Sequence, residues 1–266
     1  MVSNIWSHQL DAGTPLAALV ARAANAGARV VELRQGALGK FEDGYRLPDV
    51  AGLAAVAAAI PQVRFIPAFE VPFLDDGIDP EHPSFAGGRA LAMAVAGGEV
   101  PHLRLVDLET STDALAASGA GLARLARLMA EVDGLLSVEH ARQGWRPLWR
   151  AFVAARQRLG KRAAVLRLCV DPCNLSWLAA DDADPAHLIE TLSPADVGMI
   201  HCKQHIDGTL QPTVGPGALD WRRLLRTVGA HHPTAPFLFE MASNPRVWEY
   251  LRESLDYLQG LGISDN

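Results

Sequence analysis

Short β-branched and apolar runs alternate with longer Ala/Leu/Arg-rich stretches of helical period along the whole chain. The runs predict strands at Asn4–Trp6, Arg29–Arg34, Val63–Phe69, Leu103–Leu108, Leu135–Glu139, Val165–Val170, Val197–His201 and Phe237–Glu240. Helices are predicted between them at Thr14–Ala26, Asp49–Ile60, Ser84–Gly97, Thr112–Glu131, Trp145–Leu159, Asp184–Leu192, Asp220–Val228 and Asn244–Leu258. Several carry start and stop signals: Thr14, Asp184 and Asn244 precede prolines, and Gly160 and Gly229 follow the last periodic residues. Strict β-α alternation implies a parallel sheet with right-handed crossovers. Eight such units close most naturally into a single (β/α)8 TIM barrel spanning residues 1–266, with its chemistry at the C-terminal ends of the strands.

The length, 266 residues, suits that fold, which typically takes about 250. A net charge of -6 argues against nucleic acid as a partner. No apolar stretch approaches the roughly 20 residues of a membrane span, and no secretion signal is visible. Three cysteines, Cys169, Cys173 and Cys202, form no disulfide framework, so a cytoplasmic protein is expected.

Side chains alternate along a strand, so residues sharing parity with the last inward one also face the barrel axis. With strand six carried on to Asp171, the last residues of strands five to eight are Glu139, Asp171, His201 and Glu240. Each ends an apolar run, where an unpaired charge is costly to bury. Three carboxylates and an imidazole aimed at one point call for a divalent cation; without one the acids repel and at least one takes up a proton. The oxygen-rich set favours Mn²⁺, Mg²⁺ or Co²⁺ and leaves Zn²⁺ open. Taken singly, each acid reads equally well as a cap for the helix that follows.

The segments SVEH, CVDPCN, IHCKQ and FLFEMA, ending strands five to eight, resemble the sugar isomerase/epimerase group of xylose isomerase-like barrels. The resemblance runs from VVELR in strand two to the last helix and includes the loop PTVGPGALDW, similar to that group's G-x-G-x-x-D segment. It implies one metal ion held by Glu139, Asp171, His201 and Glu240, with the two glutamates also acting as the proton-transfer pair. It implies a small carbohydrate-like substrate, and a homodimer or homotetramer. The chain departs from endonuclease IV, which shares the fold but needs additional histidines: strands two and three here end in Glu32/Arg34 and Glu70. Ketose 3-epimerases often carry a histidine three residues after the Asp ligand, where this chain has Asn174.

The expected function is isomerisation or epimerisation of a small keto sugar, sugar acid or sugar phosphate through a metal-stabilised enediolate. Dehydration of a cyclic polyol ketone such as inosose or 3-dehydroshikimate starts with the same proton abstraction and is the alternative, followed by a non-catalytic barrel. Lys203, one of three lysines, shares inward parity with His201 and is expected to hold an enolate, carboxylate or phosphate oxygen, or else to salt-bridge Glu240. Glu32, Arg34, Glu70, Asn174, Arg142 and His205 are further substrate-binding candidates, with Glu32 equally readable as a partner to an arginine and Glu70 as a helix cap. His140 has the opposite parity and is expected to pack under a loop. Trp6 walls the pocket or fills the barrel mouth. Gly215 and Gly217 read as a positive-φ turn ahead of a helix capped by Asp220, more simply than as a phosphate cradle. Arg64, Arg104 and Arg167 fall on the interior side of their strands and there require acidic partners.

Overall fold

The computed structural model describes residues 1–109, 118–141, 144–177 and 184–262. Seven parallel strands form one curved sheet in the order β1-β2-β3-β4-β5-β6-β9: β1 Val30–Arg34, β2 Arg64–Glu70, β3 His102–Val106, β4 Leu135–Glu139, β5 Leu166–Val170, β6 Val197–Cys202 and β9 Phe237–Phe239. The sheet closes through Met1 and Val2. Val2 N donates to Phe239 O (2.9 Å) on one side, and Glu32 N donates to Met1 O (2.7 Å) on the other. The first stave is therefore this short segment. The predicted strand Asn4–Trp6 lies in a 3-10 turn (Ser3–Trp6), because pairing ends at the single bridge Val2–Glu32 and the chain then turns across the barrel mouth.

The helices on the outside are α1 Ser7–Asp11, α2 Leu16–Asn25, α3 Val50–Ala59, α4 Pro83–Ala94, α5 Ala120–Ala130, α6 Trp145–Leu159, α7 Pro172–Trp177, α8 Pro185–Thr191, α9 Trp221–His231 and α10 Val247–Gly260. Asp49, Asp184 and Asp220 cap α3, α8 and α9 by accepting from backbone N–H groups of the first turn. Thr14 makes no such bond; Pro15 takes the cap position of α2. Residues 112–117 of the predicted fourth helix lie outside the described residues. A large apolar cluster fills the space between sheet and helices, and Val2, Ile66, Cys169, Met199 and Leu238 form a separate small one. No described helix is long and apolar enough to cross a membrane.

Two features depart from the periodicity. Leu168 pairs with Val197 and Cys169 with Met199, so β6 carries Gly198 as a bulge; a Cβ there would lie 2.3 Å from Ser137 Oγ. After β6 the chain forms an antiparallel hairpin, β7 His205–Ile206 and β8 Thr209–Leu210. Asp207 and Gly208 both have positive φ, the pairing a tight two-residue turn needs.

Towards the opposite end of the barrel, His102 is buried between Ser137 Oγ (2.8 Å from Nε2) and the Arg64 guanidinium (3.3 Å from Nδ1). Arg64 can only donate, so the imidazole proton sits on Nε2 and points at Ser137. Burial, then Arg64 and Arg167, push the His102 pKa down to about 3. The folded value lies below the unfolded 6.5, so the neutral ring's contribution is complete above pH 6.5 and is lost as pH falls towards 3. That loss is up to about 1.4 kcal/mol per pH unit. Replacing His102→Gln is expected to flatten the acid limb of the stability curve between those values; superimposable acid limbs in urea titrations would refute it.

Candidate metal centre

Strand ends bring the four predicted ligands together. Glu139 is the last residue of β4, Asp171 follows β5, His201 lies in β6 and Glu240 follows β9. All four are buried, and one ligand atom from each lies within 4.8 Å of the others. His201 Nδ1 stands 3.3 Å from Glu139 Oε1, 3.1 Å from Glu240 Oε2 and 3.9 Å from Asp171 Oδ2. None of these contacts is an aligned hydrogen bond, so Nδ1 is buried among the carboxylates without one.

The remaining atoms of the same side chains are held from behind. His201 Nε2 is 3.1 Å from Glu32 Oε2, so the ring donates to that acid through Nε2 and turns Nδ1 towards the three carboxylates. Glu139 Oε2 ion-pairs with Arg104 (2.9 Å). Asp171 Oδ1 accepts from the backbone N–H groups of Cys173 (2.9 Å) and Asn174 (3.0 Å), and Glu240 Oε1 pairs with Arg34. Arg104, 1% exposed, also grips Glu32 Oε1 at 2.5 Å, so one guanidinium ties the histidine's partner to a carboxylate of the quartet. Each ligand thus presents one atom inward while its other end is fixed, the arrangement that orients metal ligands.

Electrostatics point the same way. Burial raises every carboxyl in the cluster, yet Arg104 and His201 hold Glu32 and Glu139 below the usual range, and Lys203 and His201 do the same for Glu240. Asp171 goes the other way: burial, with Glu139 and Glu240 beside it, lifts its pKa to about 6 against the pull of Lys203. Burial disfavours an imidazolium, but Glu32, Glu139 and Glu240 hold His201 well above the ordinary histidine value. With protons alone the cluster collects positive charge, as a set of crowded carboxylates must. A divalent cation fits this donor set. Cys169 Sγ also reaches Glu139 and His201, but it belongs to the apolar cluster with Met199 and Leu238, and burial pushes its thiol up to about 12.

A cleft of about 390 Å³ opens onto the cluster, lined by Asn4, Arg34, Glu139, Asn174, Lys203 and Glu240 and walled by Val106, Leu108, Ala141 and Leu210. A larger groove, about 640 Å³, lies on the outer surface between Trp145 and Trp149 of α6 and Leu188 of α8, and contains no residue of the quartet.

The substrate-binding candidates divide. Arg34, 28% exposed at its side chain, and Asn174 line the cleft, and Asn174 Nδ2 donates to His140 O (3.1 Å) and Glu139 Oε1 (3.3 Å). Glu32 is fully buried behind His201 and touches Arg104 rather than the cleft. Glu70 pairs with Arg46 (3.0 Å), and neither it nor His205, which is 3.1 Å from Ser176 Oγ, is among the lining residues. Arg142 lies outside the described residues. Trp6 is fully buried, stacked on Trp248, and Asn4 takes its expected place at the cleft. His140 packs edge-on against Trp145, with burial pushing its imidazole down to about 4. Of the interior arginines, Arg104 finds its acids within the barrel, whereas Arg64 reaches out to Glu99 (3.2 Å).

Sequence reasoning missed Gln204. It is buried, its Oε1 accepts from His205 N and Leu219 N, and its amide donates to Gly215 O. It ties the loop 211–220 to the segment that follows β6. Neither Gly215 nor Gly217 has positive φ. Gly217 is required instead because a Cβ would meet Gln204 Cδ at 2.6 Å.

No protein-family model matches the chain, and neither does any curated protein sequence. Solved structures do match. A sugar phosphate isomerase/epimerase from Parabacteroides distasonis superposes with a TM-score of 0.67 at 11% identity, covering 97% of this chain and 92% of that one. The fold is a TIM barrel, similar in architecture to that of solved xylose isomerase-like proteins. Within that fold the chain is also similar to a probable 3-DHS dehydratase, AsbF, from Bacillus anthracis (TM-score 0.68, 11% identity, 100% and 98% covered). It is likewise similar to the IOLI protein, whose structure holds a zinc atom (TM-score 0.66, 12% identity, 93% and 91% covered). At these identities the likeness is one of architecture, and the chemistry has to come from the site.

Proposed function

We propose that this chain is a divalent-metal-dependent isomerase or epimerase of a small keto sugar, sugar acid or sugar phosphate. The observation that carries the reading is the convergence of His201 Nδ1 with one oxygen each of Glu139, Asp171 and Glu240, every ligand being held at its other atom. Mn²⁺, Mg²⁺ or Co²⁺ suits the three carboxylates, and Zn²⁺ is compatible with the imidazole. Bound there, the ion supplies Lewis-acid polarisation of a carbonyl and its neighbouring hydroxyl.

The remaining work falls to the chain. Glu139 and Glu240 both line the cleft, approach it from β4 and β9, and serve as the base and acid for a proton on the carbon beside the carbonyl. Arg34 and Asn174 orient the substrate's oxygens from the rim. Lys203 stays charged, because Asp171, Glu240 and Glu139 outweigh burial and hold its pKa well above the ordinary value; it acts by electrostatics rather than by giving up a proton. A second reading, elimination from a cyclic polyol ketone, is favoured by the apolar wall Val106, Leu108, Ala141 and Leu210, against which a ring face can rest. AsbF, a probable dehydratase of the same architecture, is consistent with it.

Added Mn²⁺ is expected to raise Tm by several degrees, and a chelator to reverse it, since a ligand at 100 times its Kd contributes about 2.7 kcal/mol. Incubation in deuterated water with keto sugars and cyclic polyol ketones then identifies the substrate by exchange at the α-carbon. A conjugated product absorbing in the ultraviolet assigns the elimination reading instead. No Mn²⁺ stabilisation and no exchange across the panel would overturn both readings.

A further inference from the structure

Among the described residues, Lys203 differs from the other cations around the quartet. Arg104 and Arg34 hold the outward oxygens, Glu139 Oε2 and Glu240 Oε1. Lys203 Nζ hydrogen-bonds Glu240 Oε2 (2.9 Å) and lies in ion-pair contact with Asp171 Oδ2 (2.5 Å). Those are the two oxygens that face His201 Nδ1 and that a metal ion would use. The contact with Asp171 Oδ2 is a close ion pair without aligned hydrogen-bond geometry. An ammonium and a dication drawn to the same two oxygens are only a few Å apart and repel strongly in a buried site.

The geometry points to Lys203 as a tethered competitor for the metal: its ammonium neutralises Asp171 and Glu240 until an ion takes those oxygens, and is then displaced into the cleft. The path is open. Lys203 is only 7% exposed but lines the 390 Å³ cavity, and its four-carbon stem begins one residue beyond β6. Arg34 keeps its own oxygen of Glu240 and need not move. Displacement carries a positive charge to the place where an anionic oxygen of the substrate would sit, so the chain orders its own events, ion first and substrate second. This inference rests on the metal-dependent reading above and adds to it a residue that works against ion binding.

Calorimetric titration of wild type and Lys203→Met with Mn²⁺ tests it. Methionine keeps an unbranched side chain of similar length without the charge. The variant is expected to bind Mn²⁺ about tenfold tighter or more, the scale set by removing one charge a few Å from a dication. Its metal-free Tm should fall, and its gain in Tm on adding Mn²⁺ should exceed that of wild type. A wild type that binds Mn²⁺ with a variant that binds equally or more weakly overturns the competition and leaves the functional reading standing. Failure of both proteins to bind overturns the two together. Should Lys203→Met not fold, the wild-type protein decides through amine labelling read by mass spectrometry. The exposed Lys40 and Lys161 serve as internal references. Mn²⁺ is expected to speed modification of Lys203 several-fold relative to them; an unchanged or slower rate overturns the proposal.

Discussion

Glu139→Gln is expected to leave a folded barrel that no longer exchanges the substrate's α-proton with solvent, a loss of roughly 10²–10⁴-fold. Glutamine preserves the shape of the side chain and can still accept from Asn174 Nδ2 at Oε1. It loses the charge that both proton abstraction and metal ligation need. The substitution also leaves Arg104 with Glu32 as its one remaining carboxylate among those it contacts. Exchange should therefore be measured at saturating Mn²⁺, so that weakened ion binding is not mistaken for loss of the base. Glu70→Gln is the matched control, since Glu70 pairs with Arg46 and is not among the residues lining the cleft. Equal loss in both variants, or full exchange in Glu139→Gln, would remove Glu139 from the proton-transfer pair.

Arg104→Met is expected to be the most destabilising single change among the residues behind the site, at roughly 3–5 kcal/mol. Its guanidinium is the shared counter-charge of Glu32 and Glu139, and all three side chains are buried. Removing it strands two carboxylates where desolvation is costly and leaves Glu32, among the described residues, with His201 as its remaining ion-pair partner. For a chain of this size the loss lowers Tm by roughly 10 °C. The double variant Arg104→Met/Glu32→Gln, which removes one stranded charge as well, should recover part of it. A single variant within about 1 kcal/mol of wild type in urea unfolding would show that the paired charges do not hold the interior together.

Much of this architecture is legible in the sequence for a physical reason: strands buried on both faces leave continuous apolar runs, and the polar residue that ends each run is conspicuous. Glu139 terminates β4 at the predicted boundary, and parity alone aims Asp171, His201 and Glu240 at the same point. What escaped was set by contacts that are remote in sequence. The stave formed by Met1 and Val2 has too few residues to show a period, so the more apolar Asn4–Trp6 looked like the strand. Glu32 and Arg34 share parity at the end of one strand, yet one is locked behind His201 and the other borders the cleft. Only their partners, Arg104 and Glu240, distinguish them. Glu70 ends its strand as the ligands do, but Arg46 claims it from the loop after β1. Gln204 carries no charge to draw notice, and its role depends on Gly217, whose spacing suggested a turn rather than a close approach. The hairpin after β6 did have a local signature, the Asp207–Gly208 pair, which matches the turn observed.

The thin stave has a consequence for how the site comes into being. Val2 joins β9 to β1 by a handful of backbone bonds between segments far apart in the sequence, and the loop-closure entropy of such a contact places it late in folding. Glu32 sits on one flank of that seam and Glu240 just beyond the other. A barrel with the seam open can have most of its core in place and still lack the paired carboxylates that orient His201 and complete the quartet. Ion affinity is thus a gauge of circumference: it separates a ring that has closed from a compact chain that has not, where bulk measures of helix content would score the two alike.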